Sequence, residues 1–165
     1  MPDVQRKSDF LTRIRAEHTQ LEDLLSTLSQ EQMLRPGVAG SWSVKDVLVH
    51  LTWWEQDLIG KIASGEPLDL QAKGDLLAID HANALIVKAR RRTPLTDVLA
   101  EFSRSYQHLL YTLEGLTDED LANDETYNYL VNNTVAHYAE HRVWIDASLR
   151  PRRGFSSAAL SRKEL

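Results

Sequence analysis

The chain has 165 residues, which suits a single domain built around one hydrophobic core. Its 24 acidic and 19 basic side chains give a net charge of −5, which argues against a general nucleic-acid-binding surface, because such surfaces are basic. The absence of cysteine excludes disulfides, thiolate metal ligands and a cysteine nucleophile. No apolar run is long enough to span a bilayer and no signal peptide is evident. We therefore expect a soluble, cytoplasmic protein with neither nucleic-acid nor membrane partners.

Helical periodicity dominates the chain, and no alternating strand pattern is convincing. Apolar spacing predicts a first helix over about residues 6 to 30, with His18 pointing inward or to the edge of the core. Proline and glycine in residues 35–40 end this region. A second helix is predicted to begin after Ser43, which reads as an N-cap with Asp46 as its partner in a capping box.

The second predicted helix carries His50 on the flank of its apolar face and fades near Gly65. A histidine beside apolar neighbours needs a polar partner. Asp46, one turn earlier, is one candidate partner, and a metal ion is another. The apolar face itself comprises Val44, Val47, Leu48, Leu51, Trp54, Leu58 and Ile62.

Residues 68–92 are predicted to form a crossover that contains a helix over about 73–91. Its cationic end indicates either an anion or phosphate site or, as we prefer, charges that complement a helix C-terminus: Lys88, Arg90, Arg91 and Arg92. Thr93 as N-cap and Pro94 as first helical residue predict the start of a third long helix, which ends at Gly115.

The C-terminal part predicts a short helical turn capped by Thr117 and a polar loop over 123–133. The last helix is predicted over about 131–149, stopped by Pro151. From residue 151 onward we predict a mobile tail. Residues 1–150 are thus predicted to form one domain, an all-α four-helix bundle with a helical crossover between the second and third main helices.

Two further histidines occupy one face of the last predicted helix. His137 and His141 have i, i+4 spacing, so both imidazoles can reach one metal ion. If the helix with His50 packs alongside, a three-histidine site with an open coordination position results, a common catalytic arrangement. The spacing alone also occurs by chance among histidines on a bundle flank. Because residue 138 is Tyr, the zincin HExxH mechanism is not indicated.

Several other polar residues are weaker candidates. His81 and His108 have no feature that requires a functional role, and we expect His108 to be exposed. Glu140 lies about 100° round the helix from His141, so we expect it to face solvent. Arg142 either contacts a substrate carboxylate or pairs with an acidic side chain in the bundle. Four tryptophans could line an apolar pocket, although two of them, at positions 54 and 144, are expected in the core: Trp42, Trp53, Trp54 and Trp144.

Two spaced motifs resemble those of DinB-like proteins. Residues 40–51, GSWSVKDVLVHL, resemble the signature G-x-W-S-x-K-D-x-x-x-H-[LI], and residues 137–142, HYAEHR, are similar to the HxxxHR element of the last bundle helix. The resemblance covers roughly residues 5–149. Within the superfamily, the DUF1706 or DfsB branch looks most similar, on the segments 94–102, 116–121 and 133–138.

The resemblance implies an antiparallel four-helix bundle, often dimeric, with Zn²⁺ or Ni²⁺ held by His50, His137 and His141. Related bundles include transferases that use bacillithiol or mycothiol and a mycothiol-dependent maleylpyruvate isomerase. These relatives imply a metal-dependent hydrolase or thiol S-transferase that acts on a small electrophile, in a detoxification or stress role, as a homodimer. Any thiol would come from outside the chain.

The DfsB branch also implies an alternative without a metal. It includes a colibactin self-resistance protein that opens a cyclopropane, and its members need not keep the metal site. In this alternative the bundle binds, sequesters or hydrolyses a reactive small molecule. The polar groups expected to orient that molecule are His18, Asp80, Asn83 and Tyr138.

Overall fold

The computed structural model describes residues 3–68 and 76–150, and within these ranges it is an all-α bundle. Four long helices dominate, and four shorter ones connect them. In chain order the helices are α1 (Asp3–Ser26), α2 (Gln30–Leu34), α3 (Val44–Ser64), α4 (Leu76–Ala89), α5 (Leu95–Glu114), α6 (Asp118–Ala122), α7 (Asp124–Asn133) and α8 (Val135–Leu149). The predicted fold class is confirmed. Among the described helices, none has the length and apolar character needed to cross a membrane.

The core lies between the long helices, with α3 packed mainly on α5 and α1 mainly on α8. Fully buried side chains come from all four, which shows that their apolar faces meet in one cluster: Phe10, Ile14 and Leu21 of α1, Leu48 and Leu51 of α3, Leu109 and Leu113 of α5, and Ile145 of α8. Helix α4 packs on α3 and forms the predicted crossover between the second and third long helices. The prediction of a single domain over residues 1–150 remains a prediction.

The first helix ends earlier than predicted. Helix α1 stops at Ser26, and the separate helix α2 begins at Gln30. Ser29 causes this restart, because its Oγ accepts from the Gln32 backbone N–H at 3.2 Å while Gln32 Oε1 accepts from the Ser29 N–H at 2.8 Å. His18, in the middle of α1, is buried as predicted.

A tight loop leads into α3. Gly37 and Gly40 have φ of +116° and +59°, in the left-handed region that favours glycine. The N–H groups of Gly37 and Val38 donate to the Trp42 carbonyl at 3.0 and 2.9 Å, so the loop folds back on itself just before the helix. The predicted N-cap at Ser43 is confirmed, with its capping box. The start of α3, and with it the place of His50, is therefore fixed by local contacts.

The start of α5 differs from the prediction. Pro94, not Thr93, occupies the N-cap position, and no side chain caps this end. The Thr93 N–H donates instead to the Arg90 carbonyl at 3.0 Å, which places Thr93 in the turn after α4. Two members of the cationic cluster have structural roles. Lys88 lies in the last turn of α4, where its charge complements the helix C-terminus, and Arg90 forms an ion pair with Glu101 of α5. This supports the preferred interpretation of the cluster.

The predicted loop over residues 123–133 is wrong, because Asp124–Asn133 forms helix α7. Asn123 caps it by accepting from the Thr126 N–H at 3.0 Å, and Leu130 anchors it in the core with 0% exposure. Helix α8 begins at Val135, later than predicted, because Thr134 leaves helical geometry with φ −129° and ψ −83°. The predicted tail and Pro151 lie outside the described residues.

Candidate metal site

Helices α3 and α8 bring the three predicted histidines together. The ring centroids of His50 and His137 are 5.0 Å apart, those of His50 and His141 4.9 Å, and those of His137 and His141 4.7 Å. One potential ligand atom from each lies within 4.8 Å of the others. In residues 3–68 and 76–150, no other group of three His, Cys, Asp or Glu side chains converges in this way. The predicted convergence is confirmed.

The nitrogen positions suit a divalent ion. The Nε2 atoms of His50 and His137 are 3.0 Å apart. Two imidazole nitrogens bound tetrahedrally to Zn²⁺ at about 2.0–2.1 Å are about 3.3 Å apart. The other separations between candidate ligand atoms in the cluster do not exceed 4.8 Å. Three imidazoles also leave one tetrahedral position for a non-protein ligand.

Burial keeps the three imidazoles neutral. His50 and His141 are 5% and 3% exposed, and His137 is half-buried. Burial lowers the pKa of His50 to about 4, an effect that the Asn83 side chain partly opposes. Burial also lowers the pKa of His137 to about 3 and that of His141 to about 2, and repulsion from the neighbouring histidines adds to both shifts. At neutral pH all three therefore have the unprotonated nitrogen that a metal ion requires.

The second ring nitrogens of two cluster histidines are unpaired. The Nδ1 atoms of His50 and His141 are buried and have no hydrogen-bond partner. Asp46, a predicted alternative partner of His50, instead accepts from the backbone and side chain of Ser43, both at 2.9 Å. A carboxylate thus does not explain the burial of His50. Because His50 Nε2 faces His137, an ion between them would not satisfy the Nδ1 of His50, which lacks the hydrogen-bonded partner that usually orients a metal-binding histidine.

Tryptophans surround the histidines. The rings of Trp42 and Trp54 lie 5.3 and 6.3 Å from that of His50, and the ring of Trp144 lies 4.7 Å from that of His141. Trp54 is held in place by a 2.9 Å hydrogen bond from its Nε1 to Asn83 Oδ1 of α4. These rings give the cluster apolar walls.

Trp54 and Trp144 were both predicted in the core, and neither is fully buried. Trp54 is half-buried, whereas Trp144 is 38% exposed, so its predicted place in the core is wrong. The reason is the orientation of α8, whose buried face runs through Tyr138, His141 and Ile145. Trp144 lies beside that face, at the rim of the cluster.

The weaker candidate residues make no contact with the histidine cluster. Arg142 pairs with Glu17 of α1 at 3.1 Å, as one of its two interpretations predicted. Glu140 and His108 are exposed as predicted, and His81 is also exposed. None of these side chains has a contact with the histidine cluster that would give it a part in metal binding.

The four groups of the metal-free alternative are not gathered. The rings of His18 and Tyr138 are in contact, with centroids 5.4 Å apart. Asn83, however, is bonded to Trp54, and Asp80 is exposed. The arrangement does not form a single polar pocket from these residues.

Sequence reasoning missed Glu55, which is 3% exposed inside the bundle. The Tyr138 hydroxyl donates to Glu55 Oε1 at 2.5 Å. Burial raises the pKa of Glu55 to about 7, although the hydrogen bond from Tyr138 and the nearby Ser105 hydroxyl oppose the shift. A signal was available, because Glu55 interrupts the apolar stripe between Leu51 and Leu58 at helical spacing.

Comparisons with known proteins agree with this fold. The crystal structure of an uncharacterised protein from Escherichia coli UTI89 superposes with a TM-score of 0.70 over 86% of this chain and 91% of that one. The two sequences are 18% identical, so the likeness shows the fold alone. None of the curated proteins matches the chain. Residues 13–145 match the DinB superfamily, without distinguishing the DUF1706 branch, whose assignment stays a prediction. The chain therefore belongs to the DinB superfamily.

Proposed function

We propose that His50, His137 and His141 bind one divalent metal ion, Zn²⁺ or Ni²⁺, and that the protein is a metal-dependent enzyme acting on a small electrophile. The observation that carries this proposal is the convergence of three neutral imidazoles from two helices, with one potential ligand atom of each within 4.8 Å of the others. Imidazole ligands suit both ions. Membership of the superfamily, which is associated with metals, adds support.

The roles of the residues follow from their positions. A divalent ion at such a site supplies a Lewis acid that lowers the pKa of a coordinated water or thiol. The histidines hold the ion and stay neutral, while Trp42, Trp54 and Trp144 provide apolar surface next to it. This wall favours a small substrate with apolar or aromatic surface. Because the chain has no cysteine, a thiol nucleophile would come from solution.

The metal site is tested by reconstitution. Protein stripped with a chelator and then incubated with Zn²⁺ or Ni²⁺ should retain about one ion per chain, measured by mass spectrometry after desalting. His137→Ala should lose most of the bound metal while its helical circular dichroism stays unchanged. The matched control is His108→Ala, which removes an exposed histidine of α5. Turnover of a model aryl halide with a small thiol should follow the metal content of these variants.

Two results would contradict the proposal. One is wild-type protein that retains no ion after reconstitution. The other is full metal content in His137→Ala, which would place any bound ion elsewhere. Metal-dependent turnover that needs no thiol would favour a hydrolase over a transferase.

A metal-free DfsB-type protein that binds, sequesters or hydrolyses a small molecule is the second candidate. The 3.0 Å separation of the His50 and His137 Nε2 atoms favours it, because one neutral imidazole can donate to the other at that distance. The cluster would then be a hydrogen-bonded polar group in the wall of a ligand pocket. The same reconstitution distinguishes the two candidates, since this one predicts no stoichiometric metal.

A further inference from the structure

A buried hydrogen bond joins α3 to α8 close to the histidine cluster. Tyr138 lies between His137 and His141 on α8, and its hydroxyl donates to Glu55 Oε1 at 2.5 Å. Glu55 follows His50 by five residues, or about 7.5 Å along α3. Within the described residues, two side-chain hydrogen-bonded contacts connect these helices: this one and the contact between His50 and His137.

The surroundings hold both partners in one arrangement. Glu55 and Tyr138 are 3% and 1% exposed, so water cannot replace either partner. The Tyr138 ring is fixed edge-on by the rings of His18, at 5.4 Å, and Tyr106, at 6.3 Å. A buried hydroxyl that loses its acceptor is costly, so the pair resists rotation or sliding of α8 against α3.

We propose that the Glu55–Tyr138 pair positions α8 on α3 and so sets the separation of the histidine nitrogens. Adjacent residues of a helix are about 100° apart and move as one body, so fixing Tyr138 also fixes His137 and His141. Tyr138 is thus a positioning residue for the metal site. This inference rests on the proposed function for its effect on metal binding, whereas its effect on the distance between the histidines does not.

The test compares three substitutions in the full-length protein. Tyr138→Phe removes the donor, and Glu55→Leu removes the acceptor. Glu55→Gln keeps an acceptor oxygen at the same place and should rescue the geometry. The matched control is Tyr127→Phe, which removes the hydroxyl that accepts from Arg13 at 3.3 Å on the surface of the bundle. Each variant is first checked for helical content by circular dichroism.

Two readouts separate positioning from general stability. Tyr138→Phe and Glu55→Leu should weaken Zn²⁺ binding by about 10- to 100-fold in chelator competition, the usual effect of losing a group that orients metal ligands. They should also change the visible spectrum of the Co²⁺-substituted protein. Glu55→Gln and Tyr127→Phe should stay within about threefold of wild type. Wild-type Zn²⁺ affinity in Tyr138→Phe, with an unchanged Co²⁺ spectrum, would overturn the inference.

The metal-free protein provides the independent measurement. Ring protons of His50 and His137 should show a nuclear Overhauser effect in the wild type, since their centroids are 5.0 Å apart. That signal should weaken in Tyr138→Phe and persist in Glu55→Gln. If the wild type binds no metal but this pattern holds, the proposed function fails and the positioning role stands. If metal binds but the signal is the same in all variants, the positioning role fails alone.

Discussion

His18 shows how a single buried residue couples this fold to pH. Its ring stacks on that of Tyr106 with centroids 3.3 Å apart, and it is 1% exposed. Its Nδ1 lies 3.5 Å from Glu22 Oε2, while its Nε2 has no hydrogen-bond partner. Burial lowers the pKa of His18 to about 4, so the imidazole is neutral in the folded protein across most of the acidic range.

We predict that His18 contributes to acid sensitivity. As the pH falls from about 6.5 to about 4, the unfolded chain takes up a proton that folded His18 does not, so the free energy of unfolding decreases. His18→Phe, which keeps an aromatic ring against Tyr106 and Tyr138, should remove this contribution, on the order of 1–3 kcal/mol. Urea denaturation of metal-free protein at pH 7, 5.5 and 4.5 measures it.

The other buried histidines contribute equally to the pH dependence of both proteins, so their contribution drops out of the difference between His18→Phe and wild type. The nearby Glu22 is also present in both, and His108→Gln provides a control for loss of an exposed histidine. Parallel dependence of stability on pH for His18→Phe and wild type would show that the prediction is wrong.

At the scale of elements, the N-terminus of α3 is built by a reciprocal cap. Ser43 Oγ accepts from the Asp46 N–H at 3.2 Å, and Asp46 Oδ2 accepts from the Ser43 N–H at 2.9 Å. The same reciprocal capping box precedes α2 at Ser29 and α6 at Thr117. Because His50 lies about two turns after the cap, the cap helps to fix the position of this candidate ligand.

We predict that Ser43→Ala lowers the free energy of unfolding by about 1 kcal/mol, the typical effect of losing an N-cap. The loss should exceed that of Thr117→Ala, since Ser43 is 6% exposed, whereas Thr117 is exposed and caps a helix of only five residues. Urea denaturation of the three proteins at pH 7 makes the comparison. An unchanged midpoint for Ser43→Ala would mean that the loop before α3 fixes its start without the cap.

The helices differ in how well they could be predicted from the sequence. The cap of α3 was predictable because its signals are local: a serine, an aspartate three residues later, and an apolar stripe behind them. Helix α7 was not, because its polar composition hides the anchoring role of Leu130. The break at Thr134 comes from backbone geometry and a hydroxyl bonded to the Leu130 carbonyl at 2.6 Å, which no spacing pattern indicates.

The candidate site also has parts that the sequence predicts and parts that it does not. The i, i+4 spacing and the flank position of His50 predicted the cluster, because helix geometry fixes which side chains share a face. The Glu55–Tyr138 bond depends on how α3 and α8 are placed in three dimensions, which periodicity does not encode. The rim position of Trp144 depends on the rotation of α8 for the same reason.

At the scale of the whole molecule, the core is not uniformly apolar. Each long helix contributes a buried polar side chain to its interior: His18, Glu55, Ser105 and Tyr138. Three of their atoms lack a hydrogen-bond partner, namely His18 Nε2, Glu55 Oε2 and Ser105 Oγ. Such groups reduce stability relative to a fully apolar core. The bundle therefore combines an apolar cluster that holds it together with polar groups that constrain how its helices face one another.

Because tryptophans surround the histidine cluster, their fluorescence can report metal binding. Trp42, Trp54 and Trp144 each lie within 6.3 Å of a cluster imidazole, and Trp53 lies 4.8 Å from Trp54. All four tryptophans of the 165-residue chain therefore lie at or next to the histidine cluster. Titration with Ni²⁺, which quenches nearby indoles, should dim most of the emission in wild type and little of it in His137→Ala. Equal quenching in both would place the ion away from these rings.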